Sequence, residues 1–264
     1  MPKPIARFDA ESVRDSWDRV ADAYAKEQAA GRDYYRYEFF GPAQLALCRE
    51  VRGLGILDVG CGNGYFARAL ARRGARVTAV DISPRMIEHA QREETAEPLG
   101  IEYRVLDAAA LPADFVPQSF DMATSCMALQ DMPHVAKVFR GVHALLRPGC
   151  RFVASITHPC TDTPYRVWER EKDGRKRWLC IDRYFERGSY EYEWEGWGRD
   201  FTTEGFRAPL EDWVGWIFDA GFELRALKEP RPTEEALRKH PDLEDAGRVP
   251  YYVIFDLMRK VQEG

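Results

Sequence analysis

Residues 55–81, GILDVGCGNGYFARALARRGARVTAVD, constrain the fold more than any other stretch of the chain. Ile56, Leu57 and Val59 form a short apolar run suited to a parallel strand buried on both faces. Gly60, Gly62 and Gly64 follow at once, and residues without a Cβ let the backbone turn sharply and approach a ligand closely. A helix is expected from about Asn63, its amide-rich end turned to that ligand. Tyr65, Phe66, Ala69 and Leu70 recur at helical spacing until Gly74 stops it. Val77, Ala79 and Val80 then make a second strand, with Asp81 at its carboxyl end. In such a unit an acid at this place accepts hydrogen bonds from ribose hydroxyls. The expected product is an open α/β sheet that holds a nucleotide-like ligand at its first turn.

The glycine spacing selects among such ligands. A dinucleotide-binding turn asks for glycine where Tyr65 stands, which counts against a nicotinamide dehydrogenase. The pattern present is Asp58-Val59-Gly60-Cys61-Gly62-Asn63-Gly64, and it resembles motif I of the class I S-adenosylmethionine-dependent methyltransferases. The resemblance implies a Rossmann-like, doubly wound seven-stranded α/β sheet of order 3-2-1-4-5-7-6 with the last strand antiparallel. It also implies S-adenosylmethionine as cofactor, with Asp58, Gly60, Cys61, Gly62 and Gly64 around its methionine end and Asp81 on its ribose. By the same resemblance Ile82 and Met86 cover the adenine ring and Asp107 and Ala108 meet its amino group. Ser125 and Cys126 lie beside the sulfonium, and Asp131 stands at the edge of the site. Tyr24 and Tyr34, in a segment that closes over the cofactor, face it or the substrate. The residues themselves leave other readings open: Met86 also suits a core filler, Asp107 a turn cap, and the tyrosines plain packing.

Composition sets limits. A chain of 264 residues with 45% hydrophobic content can bury one large α/β core with a modest insert. A net charge of −5 argues against a broad grip on nucleic-acid phosphates. The 6 cysteines are scattered without a C-x-x-C pair or a histidine at metal spacing, as expected of reduced thiols in a cytoplasmic protein with no bound metal. No stretch reads as a secretion signal or a membrane span. The partner expected is a small-molecule methyl acceptor, an aromatic one included.

One domain over 1–264 is expected, in four parts: a helical lid (1–54), a cofactor-binding core (55–159), a cap insert (160–206) and the rest of the core (207–264). Within the lid, Val13, Trp17, Val20, Ala21 and Tyr24 share one face of a helix over 12–29. After a fifth strand ending near Ile156 the alternation breaks, and residues 160–206 carry Tyr165, Trp168, Trp178, Tyr184, Tyr192, Trp194 and Trp197 among glycines. Trp178–Phe185 and Tyr190–Trp194 read as two paired strands of an antiparallel cap joined at Arg187-Gly188-Ser189. The mixed charge run 169–177 reads as a solvated hairpin or loop. Placed after the fifth strand, the insert hangs over the substrate side, where its aromatics build either an apolar pocket or only their own small core.

Methyl transfer asks for placement, exclusion of water and, for a protonated nucleophile, a base. His158 is the first candidate base, because an imidazole titrates near neutral pH and this one follows the fifth strand. Tyr34, Tyr184 and Asp131 come next. Two other functions stay open at this point: a methyltransferase of a modified tRNA nucleotide, and a protein that binds the cofactor without transferring its methyl group.

Overall fold

The computed structural model describes residues 3–163, 165–194 and 201–261. A short strand β1 (Lys3–Pro4) leads to helix α1 (Ala10–Ala29), which starts on a capping box: Asp9 accepts from the Ser12 amide and the Ser12 side chain accepts from the Asp9 amide. A π-helical turn over Tyr35–Phe40 runs into α2 (Gly41–Leu47). The core then alternates through β2 (Gly55–Val59), α3 (Tyr65–Ala71), β3 (Arg76–Asp81), α4 (Pro84–Ala96) and β4 (Glu102–Val105). Next come β5 (Phe120–Cys126), α5 (Val135–Leu145) and β6 (Leu146–Thr157). Four strands follow, β7 (Arg166–Arg170), β8 (Lys176–Ile181), β9 (Gly188–Glu193) and β10 (Thr202–Arg207). The described chain closes with α6 (Leu210–Asp219), β11 (Phe222–Lys228), α7 (Glu234–Lys239) and β12 (Tyr252–Arg259).

The main sheet has seven strands in the order β11-β12-β6-β5-β2-β3-β4. Counted along the chain within the sheet this is 3-2-1-4-5-7-6 from the β4 edge, the order the motif led us to expect. β2 to β6 run parallel, and β12 runs antiparallel to both its neighbours. Ile56, Leu57 and Val59 are fully buried because helices cover both faces. On one face Phe139 of α5 and Trp213 and Ile217 of α6 pack against Phe152 and Phe222. On the other, Phe66 and Leu70 of α3 and Ile87 of α4 pack against Ile56 and Val77. Each such fully buried side chain contributes about 1.5–3 kcal/mol. Gln44 of α2 fastens two strands from above the sheet: its Nε2 donates to the Ser125 and Val153 carbonyls at 3.0 and 3.2 Å, and its Oε1 accepts from the Ser155 hydroxyl at 2.6 Å.

The insert departs from the expected pairing. β8 does not pair with β9; it forms a hairpin with β7, in which Trp168 faces Leu179. The reason lies in the charge run 169–177, which holds Gly174 at φ +87° and so supplies the turn between β7 and β8. Arg183, at φ +52°, then redirects the chain before β9. β9 is the middle strand of a separate sheet, flanked by β10 and by β1. Tyr190 lies opposite both Gly205 and Pro4. Trp197 lies outside the described residues.

Candidate functional site

The first turn of the core is drawn onto the second strand. Gly60 N and Cys61 N both donate to the Val80 carbonyl, at 2.8 and 3.0 Å, and Gly62 N donates to Asp81 Oδ2 at 2.8 Å. The other Asp81 oxygen accepts from Ser83 N at 2.9 Å. Gly60 has φ +71°, and a Cβ there would lie 2.5 Å from both Ala128 Cβ and Met132 Cε. Gly62, at φ +54°, would meet nothing within 4 Å and so leaves open space beside Asp81. Burial raises the Asp81 carboxyl above its ordinary range, while the Ser83 and Gly62 amides pull it down.

A cavity of about 390 Å³ opens over this turn. Its floor comes from the carboxyl ends of β2, β3 and β5, with Asp58, Asp81 and Cys126 on the wall. Trp17 and Tyr24 of α1, Tyr192 of β9, Trp194 just after it and Thr203 of β10 close the other side. Trp17, Tyr24 and Trp194 meet edge to face with centroids 5.7–6.2 Å apart. Asp58 is 1% exposed. Its Oδ1 accepts from the Thr124 hydroxyl at 2.8 Å, whereas Oδ2 is sheltered without a hydrogen-bond partner. Burial pushes its carboxyl up to about 7. Asp131 Oδ2 accepts from Gln130 Nε2 at 3.3 Å, and burial, reinforced by the charge of Asp162, lifts that carboxyl well above the ordinary range. Asp162 accepts from the Thr157 hydroxyl at 2.6 Å.

Of the residues singled out from sequence, Tyr24, Asp58, Gly60, Cys61, Gly62, Asp81, Ile82, Met86, Asp107, Ala108, Cys126 and Asp131 line the cavity together. Two of the open alternatives coexist with that position. Asp107 caps a turn by accepting from Ala109 N at 2.9 Å, and Met86 packs with Val20, Ala21 and Tyr24. Gly64 and Ser125 stand behind the wall: Gly64 caps α3 at φ +88° against the Tyr103 hydroxyl, and the Ser125 carbonyl accepts from Gln44.

His158, Tyr34 and Tyr184 do not line the cavity. His158 is 6% exposed and lies off the wall. Its Nδ1 accepts from Cys160 N at 3.2 Å and its Nε2 is 3.1 Å from Glu229 Oε1, so both ring nitrogens are engaged in holding a loop. Burial lowers its pKa. Tyr34 stacks on His240 with centroids 4.3 Å apart and bonds to Asp242, and Tyr184 accepts from Leu210 N at 2.9 Å.

Sequence reasoning missed Arg36, the one basic side chain among the described residues lining the cavity. It donates to the Tyr24 hydroxyl and to Asp33, each at 2.7 Å, and lies 5.5–5.9 Å from the rings of Tyr24, Phe40 and Tyr65. Asp33 also accepts from Gln28, which in turn accepts from Asn63 in the glycine turn at 2.8 Å. Asp162 was missed too, whereas Tyr192 and Trp194, named among the insert's aromatics, do reach the wall. The rule that ligands sit outside the carboxyl ends of parallel strands could have found Asp162, five residues past β6.

Comparison with known proteins agrees with this geometry. A methyltransferase-domain family model matches residues 56–149. A solved S-adenosylmethionine-dependent methyltransferase from Mesorhizobium loti is 31% identical with a TM-score of 0.71, over 83% of this chain and 96% of that one. A ubiquinone biosynthesis O-methyltransferase of Methylocella silvestris is 44% identical over 56% of this chain and 60% of its own length. One of Xanthomonas euvesicatoria is 35% identical over 66% of this chain and 65% of its own. The match thus spans less than two thirds of these two relatives.

Proposed function

Because the chain belongs to the S-adenosylmethionine-dependent methyltransferases, we propose that it uses this cavity to transfer a methyl group to a nucleophilic atom of a small molecule with an apolar or aromatic body. The observation that carries the reading is Asp81, pinned between the Gly62 and Ser83 amides on the wall of the cavity. Each of its oxygens keeps a lone-pair direction for a ribose hydroxyl. The rest of the wall fits the same ligand. Asp58 Oδ2 is a sheltered acceptor for an ammonium group, Arg36 is a cation for a carboxylate, and Ile82, Met86 and Ala108 form an apolar slot for a ring.

Bound there, S-adenosylmethionine supplies a methyl group made electrophilic by its sulfonium. The protein's part is placement and dryness. α1 and β9–β10 close the cavity against water, and the aromatic wall holds the acceptor's body. The relatives' names specify oxygen as the atom methylated, but Asp162, Tyr192 and Glu193 of this wall lie outside the matched segment 56–149. The acceptor is therefore argued from this chain's own residues.

Calorimetry tests the cofactor. S-adenosylmethionine and its demethylated product are expected to bind the wild type at micromolar concentration and Asp81→Ala at least about tenfold more weakly, a loss of about 1.4 kcal/mol, with NADH as control. Folded wild-type protein that binds neither, or prefers NADH, would overturn the proposal.

A further inference from the structure

The cavity has two halves of different chemistry. Toward β2, β3 and β4 lie the glycine turn, Asp81 and Asp107. Toward β5 and β6 the wall carries Asp131, Asp162, Gln130 and Tyr192. Gln130 spends its amide nitrogen on the Met127 carbonyl at 2.8 Å and on Asp131, which leaves its Oε1 sheltered with no hydrogen-bond partner. The Tyr192 hydroxyl is likewise sheltered and unpartnered. This half therefore offers the Gln130 carbonyl and two acidic side chains as acceptors, with the Tyr192 hydroxyl, able to donate or accept, as the one unengaged polar hydrogen among them. Arg36, the only basic side chain on the described wall, donates to Asp33 and Tyr24 and, in the reading above, faces the cofactor's carboxylate, so it is not a counter-cation for the acceptor. A phenolate or carboxylate placed here would face Asp162 and the Asp131 carboxyl with no basic side chain beside them, a like-charge juxtaposition that disfavours anions. A group with N–H donors and positive charge would satisfy what the wall leaves open.

We propose that the β5–β6 half of the cavity takes a protonated amine on an apolar or aromatic body, that nitrogen is the atom methylated, and that Asp131 receives its proton. The proposal rests on the methyltransferase reading above. One ammonium proton passes to the Asp131 carboxylate. The freed lone pair then forms the N–C bond as the C–S bond breaks, its electron pair staying on sulfur, and the product leaves as a methylammonium. The ammonium bound beside Asp131 holds it as the carboxylate until the transfer, which removes two opposite charges from a buried site that favours the neutral acid. Asp162, held by Thr157, keeps the amine in place.

The test is calorimetry on protein saturated with S-adenosylhomocysteine, using matched pairs: phenethylamine with 2-phenylethanol, tryptamine with tryptophol, and hexylamine with hexanol, plus catechol and 3,4-dihydroxybenzoate. Saturation itself reports on the cofactor site, so failure there strikes the methyltransferase reading and failure of the pairs strikes only this one. Amines are expected to bind about tenfold more tightly than their alcohols. That preference should be lost in Asp131→Asn and Asp162→Asn while S-adenosylhomocysteine still binds. With labelled S-adenosylmethionine, mass spectrometry should place the label on nitrogen. Alcohols binding as tightly as amines, a preference indifferent to both variants, or methylation of catechol or dihydroxybenzoate in place of any amine would each overturn the proposal.

Discussion

Asp58 is an acid in a place that resists charge. The native protein holds its proton up to about pH 7, whereas an unfolded chain gives it up near the ordinary aspartate value of 3.8. Between those two points the native state binds more protons, so its stability falls as pH rises from about 4 to about 7 and levels off above. Asp81 and Asp131, also raised by burial, act in the same direction. In scanning calorimetry of the ligand-free protein, the wild-type Tm measured against that of Asp58→Asn should therefore decline across this window, about 2–4 °C for each kcal/mol. A difference that rises with pH would contradict the assignment. Residues such as Asp58 and Asp81 were legible because they stand at strand ends beside glycines. Arg36 was not, because it belongs to a π-helical turn whose period matches no pattern sought in the sequence. His158 follows β6 as read from the sequence, but it stands off the cavity wall with the Cys160 amide and Glu229 on its two ring nitrogens, partners that no sequence pattern announces.

Among the elements, the central strands β2 and β5 were readable from short apolar runs because they are buried on both faces. The insert was not. Its strands alternate weakly, and pairing there is decided by which turn closes first; Gly174 gives that choice to β7 and β8. The β1 strand, only two residues long, carries no pattern at all and is defined wholly by its partner β9. β10 meets the core at one tight point: a Cβ on Gly205 would come within 2.9 Å of Asp131 Oδ1 and 3.2 Å of the Gln130 carbonyl. Gly205→Ala should therefore overpack the joint between insert and core, lowering stability by about 1–3 kcal/mol in denaturant unfolding. S-adenosylhomocysteine affinity should stay within about twofold, since Gly205 does not line the cavity. An unchanged stability would show that Asp131 can move aside freely.

At the scale of the whole molecule, the cavity is closed by pieces from opposite ends of the sequence. Asp18 of α1 accepts from Ser83 and from Arg85 N at the start of α4, and Asp22 accepts from Arg85 at 3.0 Å and lies 2.7 Å from His89 Nε2. The same helix meets Trp194 and Phe201 of the insert. Hydrogen exchange should then show α1, β9 and β10 gaining protection as one unit when S-adenosylhomocysteine binds, with the β7–β8 hairpin little changed. Protection confined to the glycine turn would separate the covering elements from the site. Among the described residues no helix is long and apolar enough to cross a membrane. The pairing of Lys3 and Pro4 with Glu191 and Tyr190 also sets a timetable for synthesis. β1 has no partner strand until synthesis has passed β9. The parallel strands β2 to β6 are all made before then and β11 and β12 only afterwards, so the cover over the cavity can close only onto a parallel core that already exists.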